Sequence, residues 1–155
     1  MKKIMLFLAV IAACALQSCV DETGPGTPSP KSMYMESSEY DISDTDSVST
    51  LNLRWIDVGN ATYKVFLTNT TTADTTYMDA SAAKKGELST LSMQIPYSTL
   101  ESYAVEKGLF DADSTLASFT IGVVGTPIDL TKETALKATG SYVSATVNYT
   151  RSKHE

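Results

Sequence analysis

Thiols are nearly missing from this 155-residue chain. Its two cysteines, Cys14 and Cys19, both fall in the first nineteen residues. Residues 20–155 can therefore form no disulfide, no thiolate metal site and no cysteine nucleophile, and their fold must be held by its core. Histidine is as scarce: His154 is the only one and lies next to the C-terminal residue. A side chain there cannot be held in the geometry a general base needs, so Ser–His and Cys–His constellations and histidine metal sites are excluded. Basic charge is also short, with 12 Lys and Arg against 18 Asp and Glu. A net negative chain is poorly suited to nucleic acid. The longest apolar run, Ile4 to Leu16, has thirteen residues, fewer than the ~20 needed to span a bilayer. Tryptophan appears once, at Trp55.

What is present begins with that run. Lys2 and Lys3 precede it and Leu16-Gln17-Ser18-Cys19 follows. A positive start, an apolar stretch of this length and a small residue before the cleavage point form a secretory signal. The last four residues resemble the lipobox of bacterial lipoproteins, although Gln17 departs from its commonest form. The resemblance implies cleavage between Ser18 and Cys19 and a lipid on the Cys19 thiol. Losing residues 1–18 removes Lys2 and Lys3, leaving ten basic and eighteen acidic residues, a net charge of −8. Acyl chains contribute ~0.8 kcal/mol per buried methylene, so such a protein is held to a membrane by its anchor. Val20-Asp21-Glu22 resembles the export signal of Bacteroidota surface lipoproteins. It implies the outer face of the outer membrane, with the periplasmic leaflet as the alternative.

Residues 19–32 combine the lipidated end with a Pro/Gly-rich linker, an extended semi-rigid spacer that holds three of the five prolines. Residues 33–150 are long enough for one domain with a core, and 151–155 form a tail. Within the domain, apolar residues alternate with period two. Leu51, Leu53 and Trp55 form one inward set, and Tyr63, Val65 and Leu67 a second. Leu91, Met93 and Ile95, then Phe119, Ile121 and Val123, then Val143, Ala145, Val147 and Tyr149 complete five. Turns are expected at Asp57–Asn60, Lys84–Gly86 and Gly125–Pro127. This spacing predicts an all-β sandwich. Ser98-Thr99-Leu100-Glu101 reads as a capping box opening one short helix between two strands, Leu88–Ile95 and Thr115–Val124. Leu100, Tyr103 and Ala104 would form its inner face and Gly108 its left-handed stop.

Several of these segments together resemble a known domain. Leu51-Asn52-Leu53-Arg54-Trp55 leads through a Gly-Asn turn to Tyr63-Lys64-Val65-Phe66-Leu67. The helix then ends in Lys107-Gly108-Leu109, and the strand with Phe119 and Ile121 follows. This order is similar to the N-terminal immunoglobulin-like domain of SusE- and SusF-type outer-membrane lipoproteins of Bacteroidota, in which Leu-Gly-Leu stands where Lys107-Gly108-Leu109 stands here. The resemblance covers about Met33 to Gly125. It implies an immunoglobulin-like (fibronectin III-like) β-sandwich and a lipoprotein accessory to glycan capture or uptake. In that family starch-binding modules follow this domain. The present sequence runs to Glu155 without them, so location and fold carry over more directly than glycan binding does.

No residue set is expected to do catalysis, and no cofactor is expected. Asp41, Asp44 and Asp46, or Asp111 and Asp113, offer carboxylates at alternate positions. They lack the glycine and bidentate glutamate of a calcium loop and read as solvated turn acids. Trp55 ends a strong alternation and is expected in the core. Tyr34, Tyr40 and Tyr77 stand among polar residues and are expected as partly buried edge residues. Asn60, Asn69 and Asn148 open sequons expected to be idle. Ser47, Thr75 and Ser114 sit in motifs that resemble the O-glycosylation sites of Bacteroidota. Two functions follow as expectations. One is a polysaccharide-binding accessory beside an outer-membrane transporter. The other is a structural or assembly lipoprotein whose partner is another envelope protein, with the terminal strand Tyr142–Tyr149 available for edge pairing.

Overall fold

The structure, a computed structural model, describes residues 33–132 and 141–152. The signal, Ser18 and Cys19, the linker to residue 32 and residues 153–155 lie outside the described residues.

Among the described residues, eight strands form two sheets. They are β1 (Glu39–Ser43), β2 (Thr50–Ile56), β3 (Ala61–Thr68), β4 (Thr75–Asp79), β5 (Lys84–Lys85), β6 (Thr90–Pro96), β7 (Leu116–Pro127) and β8 (Ser141–Thr150). One helix, α1 (Tyr97–Glu106), joins β6 to β7. The smaller sheet has the order β2-β6-β5 and the larger β1-β8-β7-β3-β4. All neighbours are antiparallel except β1 and β8, which run parallel, Glu39 opposite Thr146 and Ser43 opposite Thr150. One three-stranded sheet faces another in which β7, next to the terminal strand β8, pairs with β3. This is the arrangement of an immunoglobulin-like β-sandwich.

The core lies between the sheets. Leu53, Val65, Phe119, Ile121, Val123 and Val147 are fully buried and come from four of the five inward sets. Each such side chain contributes about 1.5–3 kcal/mol relative to exposure. Trp55 is buried among them, as its phase requires, edge-on to Tyr63 at 5.9 Å. Helix α1 closes one end of the sandwich with Tyr97, Leu100, Tyr103 and Ala104. The Tyr103 ring meets Phe119 at 5.3 Å.

The chain enters along the smaller sheet. Met35 bridges to Trp55, and Ile56 N–H donates to the Tyr34 carbonyl at 3.0 Å. It then crosses to the larger sheet and pairs as β1. Neither β1 nor β4 has a signature in the sequence, because EYDIS and TTYMD carry almost no apolar alternation and only Ile42 of β1 is buried.

Three further expectations are corrected. Gly125-Thr126-Pro127 is strand rather than turn, since β3 pairs with β7 as far as Ala61 and Pro127. Proline is tolerated there because it ends the strand. Lys84 and Lys85 pair with Ser92 and Leu91 as the short β5. The capping box does not form. Pro96, with extended backbone, starts the helix at Tyr97, and no side chain caps it. Ser98 and Glu101 are thus inside the helix. Glu101 instead accepts from the Tyr149 hydroxyl at 3.2 Å and lies 3.7 Å from Arg151. The C-terminal stop is as expected: Gly108 has φ +63°, Gly108 N–H donates to Val105 O and Leu109 N–H to Ala104 O.

Candidate functional site

The outward positions of the larger sheet form the site. Period two puts Val65 and Leu67 in the core and therefore Phe66 outside. It does the same for Tyr142 beside Val143. Register then assembles the face. Tyr77 stands opposite Phe66, Phe66 opposite Gly122, and Gly122 opposite Ser144. In the adjoining row Asp79, Lys64, Val124 and Tyr142 are successive partners. With strands ~4.8 Å apart, the patch from Tyr77 on β4 to Tyr142 on β8 crosses three spacings, about 14 Å.

Three aromatic rings occupy that patch. Tyr77 is 60% and Tyr142 69% exposed, with Phe66 half-buried between them. Phe66 lies 6.4 Å from Tyr77 and 6.1 Å from Tyr142, the rings inclined by 59° and 73°. Gly122 makes room for the middle ring: a Cβ built there would come within 2.3 Å of Phe66 Cζ. Thr68, Thr75, Thr120 and Ser144 line the same shallow depression, so hydroxyls surround the rings. The Thr68 and Thr75 hydroxyls are hydrogen-bonded to each other. Apolar rings bordered by hydroxyl donors and acceptors suit a ligand that is apolar on its faces and polar at its edge.

Toward β1 the same face becomes a fixed polar network. Ser118 Oγ donates to Asn148 Oδ1 at 2.8 Å, and Asn148 Nδ2 donates to Glu39 and to Asp41, each at 2.8 Å.

Of the acids named from the sequence, Asp41 lies in strand β1 rather than in a turn, and the others sit in turns or at strand ends. Asp44 accepts from Ser152 N–H at 2.8 Å, Asp46 from Ser43 N–H at 2.8 Å, and Asp111 from Thr115 N–H at 2.8 Å. Asp113 lies on the exposed turn before β7. Among the described residues, no group of three metal-ligating side chains converges. Asn60 is engaged in structure, its amide donating to the Asp129 carbonyl at 2.8 Å. Asn69 likewise caps its turn, accepting from Thr71 N–H at 2.8 Å. Ser47 and Ser114 are exposed, whereas Thr75 is half-buried.

Of the three tyrosines expected at buried edges, only Tyr40 fits. Tyr77 and Tyr34 are exposed. Tyr77 is turned out because β4 is an edge strand whose alternate face has no core to meet. Two tyrosine hydroxyls, of half-buried Tyr63 and buried Tyr149, each donate to a carboxylate. Burial, with a hydrogen bond to the Asp57 carboxylate, pushes Tyr63 up to about 12. Burial and the nearby Glu101 do the same for Tyr149. Both stay neutral and act as structural donors.

The terminal strand is not the open edge expected of it. β7 flanks it along its length and β1 covers Thr146–Thr150, because the parallel pairing brings the two ends of the domain together. Among the described residues only Ser141–Ala145 lacks a neighbour on the β1 side.

No protein-family model and no curated protein matches the chain. Among solved structures it is similar to the crystal structure of the periplasmic chaperone SfaE, with a TM-score of 0.42 and 10% identity. The match covers 79% of this chain and 59% of the chaperone's. The strand orders β2-β6-β5 and β1-β8-β7-β3-β4 define the immunoglobulin-like fold.

Proposed function

We propose that this chain is an outer-membrane lipoprotein, lipidated at Cys19 and displayed at the cell surface, whose immunoglobulin-like domain binds polysaccharide as an accessory to glycan capture or uptake. The observation that carries the reading is the ring cluster Tyr77, Phe66 and Tyr142 on an exposed sheet face. Pyranose rings present C–H faces that pack on aromatics and equatorial hydroxyls that pair with Thr and Ser. The role is binding rather than catalysis, and the rings and hydroxyls suffice for it. Affinity electrophoresis of the protein through gels containing soluble polysaccharides tests this. Retardation by at least one glycan is expected. Phe66→Ala or Tyr142→Ala should weaken it about tenfold, the equivalent of ~1.4 kcal/mol. No retardation by any glycan, or retardation unchanged in both variants, would refute the reading.

A second reading is a structural or assembly subunit bound to another envelope protein. It is favoured by the open half of β8. Thr146 N–H donates to the Ser38 carbonyl, so by period two the backbones of Ser144 and Tyr142 face the same side, which no strand covers among the described residues. A partner's strand would add there. Co-purification of one stoichiometric envelope protein from solubilised membranes, lost with Ser144→Pro in a folded variant, would favour this reading over the first.

A further inference from the structure

One end of the sandwich carries exposed apolar side chains on separate loops. Leu88, between β5 and β6, is 91% exposed, and Ile128 and Leu130, after β7, are 65% and 71% exposed. The loops are tied together. Asp57 N–H donates to Ser89 O at 2.7 Å, Ile128 N–H to Asn60 O at 3.0 Å, and Asn60 and Asp129 bond reciprocally at 2.8 and 3.1 Å. The apolar tips are therefore held on one surface.

Neither core nor backbone explains Leu88. It buries nothing, and at φ 54° it occupies the left-handed region that glycine and asparagine favour, followed by Ser89 at φ 61°. A bulky apolar residue held outward in such a conformation suits contact with something outside the domain.

The chain enters at this same end. β2 runs toward Ile56, and Tyr34 and Met35 pair antiparallel with Ile56 and Trp55. Met33 thus lies beside the loops between β2 and β3 and between β5 and β6. Thirteen residues, 20–32, separate Met33 from Cys19, and a chain of that length reaches at most about 45 Å. The segment toward Cys19 therefore joins the domain at this end rather than at the α1 end. Charge permits this end to approach a bilayer. Lys84, Lys85 and Lys132 balance Asp57, Glu87 and Asp129 here, in a mature chain of net charge −8. Lysine stems also extend along a lipid surface while their ammonium groups reach the headgroups.

We infer that the loop tips bearing Leu88, Ile128 and Leu130 dock on the lipid surface and seat the domain upright on its membrane. The inference rests on the lipid-anchored part of the proposed function. In this orientation the aromatic face stands on the flank of the sandwich, open to ligand from the side.

The test uses the mature lipidated protein in vesicles of phosphatidylethanolamine and phosphatidylglycerol. Residues 20–155 hold no cysteine and the Cys19 thiol is blocked by lipid, so Leu88→Cys, Leu130→Cys and Val48→Cys each take a single nitroxide label. Val48, in the β1–β2 loop, serves as the opposite-end control. Labels at 88 and 130 are expected to collide several-fold more with oxygen than with a water-soluble nickel chelate, relative to the label at 48. Equal aqueous exposure at all three positions would overturn the inference. So would shielding of 88 and 130 from both reagents, which means that protein covers them. If the protein does not float with the vesicles, the lipid-anchor reading itself has failed and this one falls with it.

Discussion

Gly122 is where a single atom decides the shape of the candidate site. An added Cβ would stand 2.3 Å from Phe66 Cζ and 2.5 Å from the Val143 carbonyl, so the ring and the neighbouring strand would both have to shift. Gly122→Ala is expected to cost about 1–3 kcal/mol in a thermal melt, the usual range for overpacking. It should also reduce glycan retention by displacing the middle ring. A variant of unchanged stability and retention would mean that Phe66 does not depend on that space. The outward phase of Phe66 and Tyr142 was legible in the sequence, because each neighbours core residues of fixed parity. Their meeting was not. It depends on β3 and β8 lying on either side of β7, where Gly122 leaves a gap.

At the scale of elements, helix α1 divides into an end the sequence specifies and an end it does not. The C-terminus is set locally by Gly108 at φ +63°, with open space where a Cβ would stand. Gly108→Ala should therefore cost about 1 kcal/mol through backbone conformation alone. Calorimetry would check it, and an unchanged melting temperature would contradict it. The N-terminus misleads because Ser98 and Glu101 satisfy a local pattern while a longer-range contact prevails. Glu101 is drawn to Tyr149 and Arg151, which are far along the chain but adjacent in the fold. The short strands β1, β4 and β5 were illegible for a related reason. Each is stabilised by pairing at a sheet edge, and edge pairing leaves little apolar pattern in the strand itself.

For the whole molecule the outcome turns on Cys19. Cys19→Ser is expected to abolish lipidation and to shift the protein out of the outer-membrane fraction, measured by membrane fractionation and by the mass of the mature chain. Continued covalent acylation of that variant would refute the anchor. If the domain is seated by its loop tips, its aromatic face and the open half of β8 project laterally from one base. Both proposed roles then use surfaces that a membrane-parallel approach can reach.

The sequence by itself determined the strand phases, the class of fold, the helix and its stop, and the absence of thiol and histidine chemistry from the domain. These follow from nearest neighbours along the chain, through the period of two and the backbone freedom of glycine. Only the tertiary structure decided which outward residues share a surface. Phe66, Tyr77 and Tyr142 lie far apart in sequence and meet because sheet order and register put β4, β3 and β8 around Gly122. Leu88, Ile128 and Leu130 gather at the end where the chain enters for the same reason: strand direction fixes which loops lie together, and no local pattern encodes it.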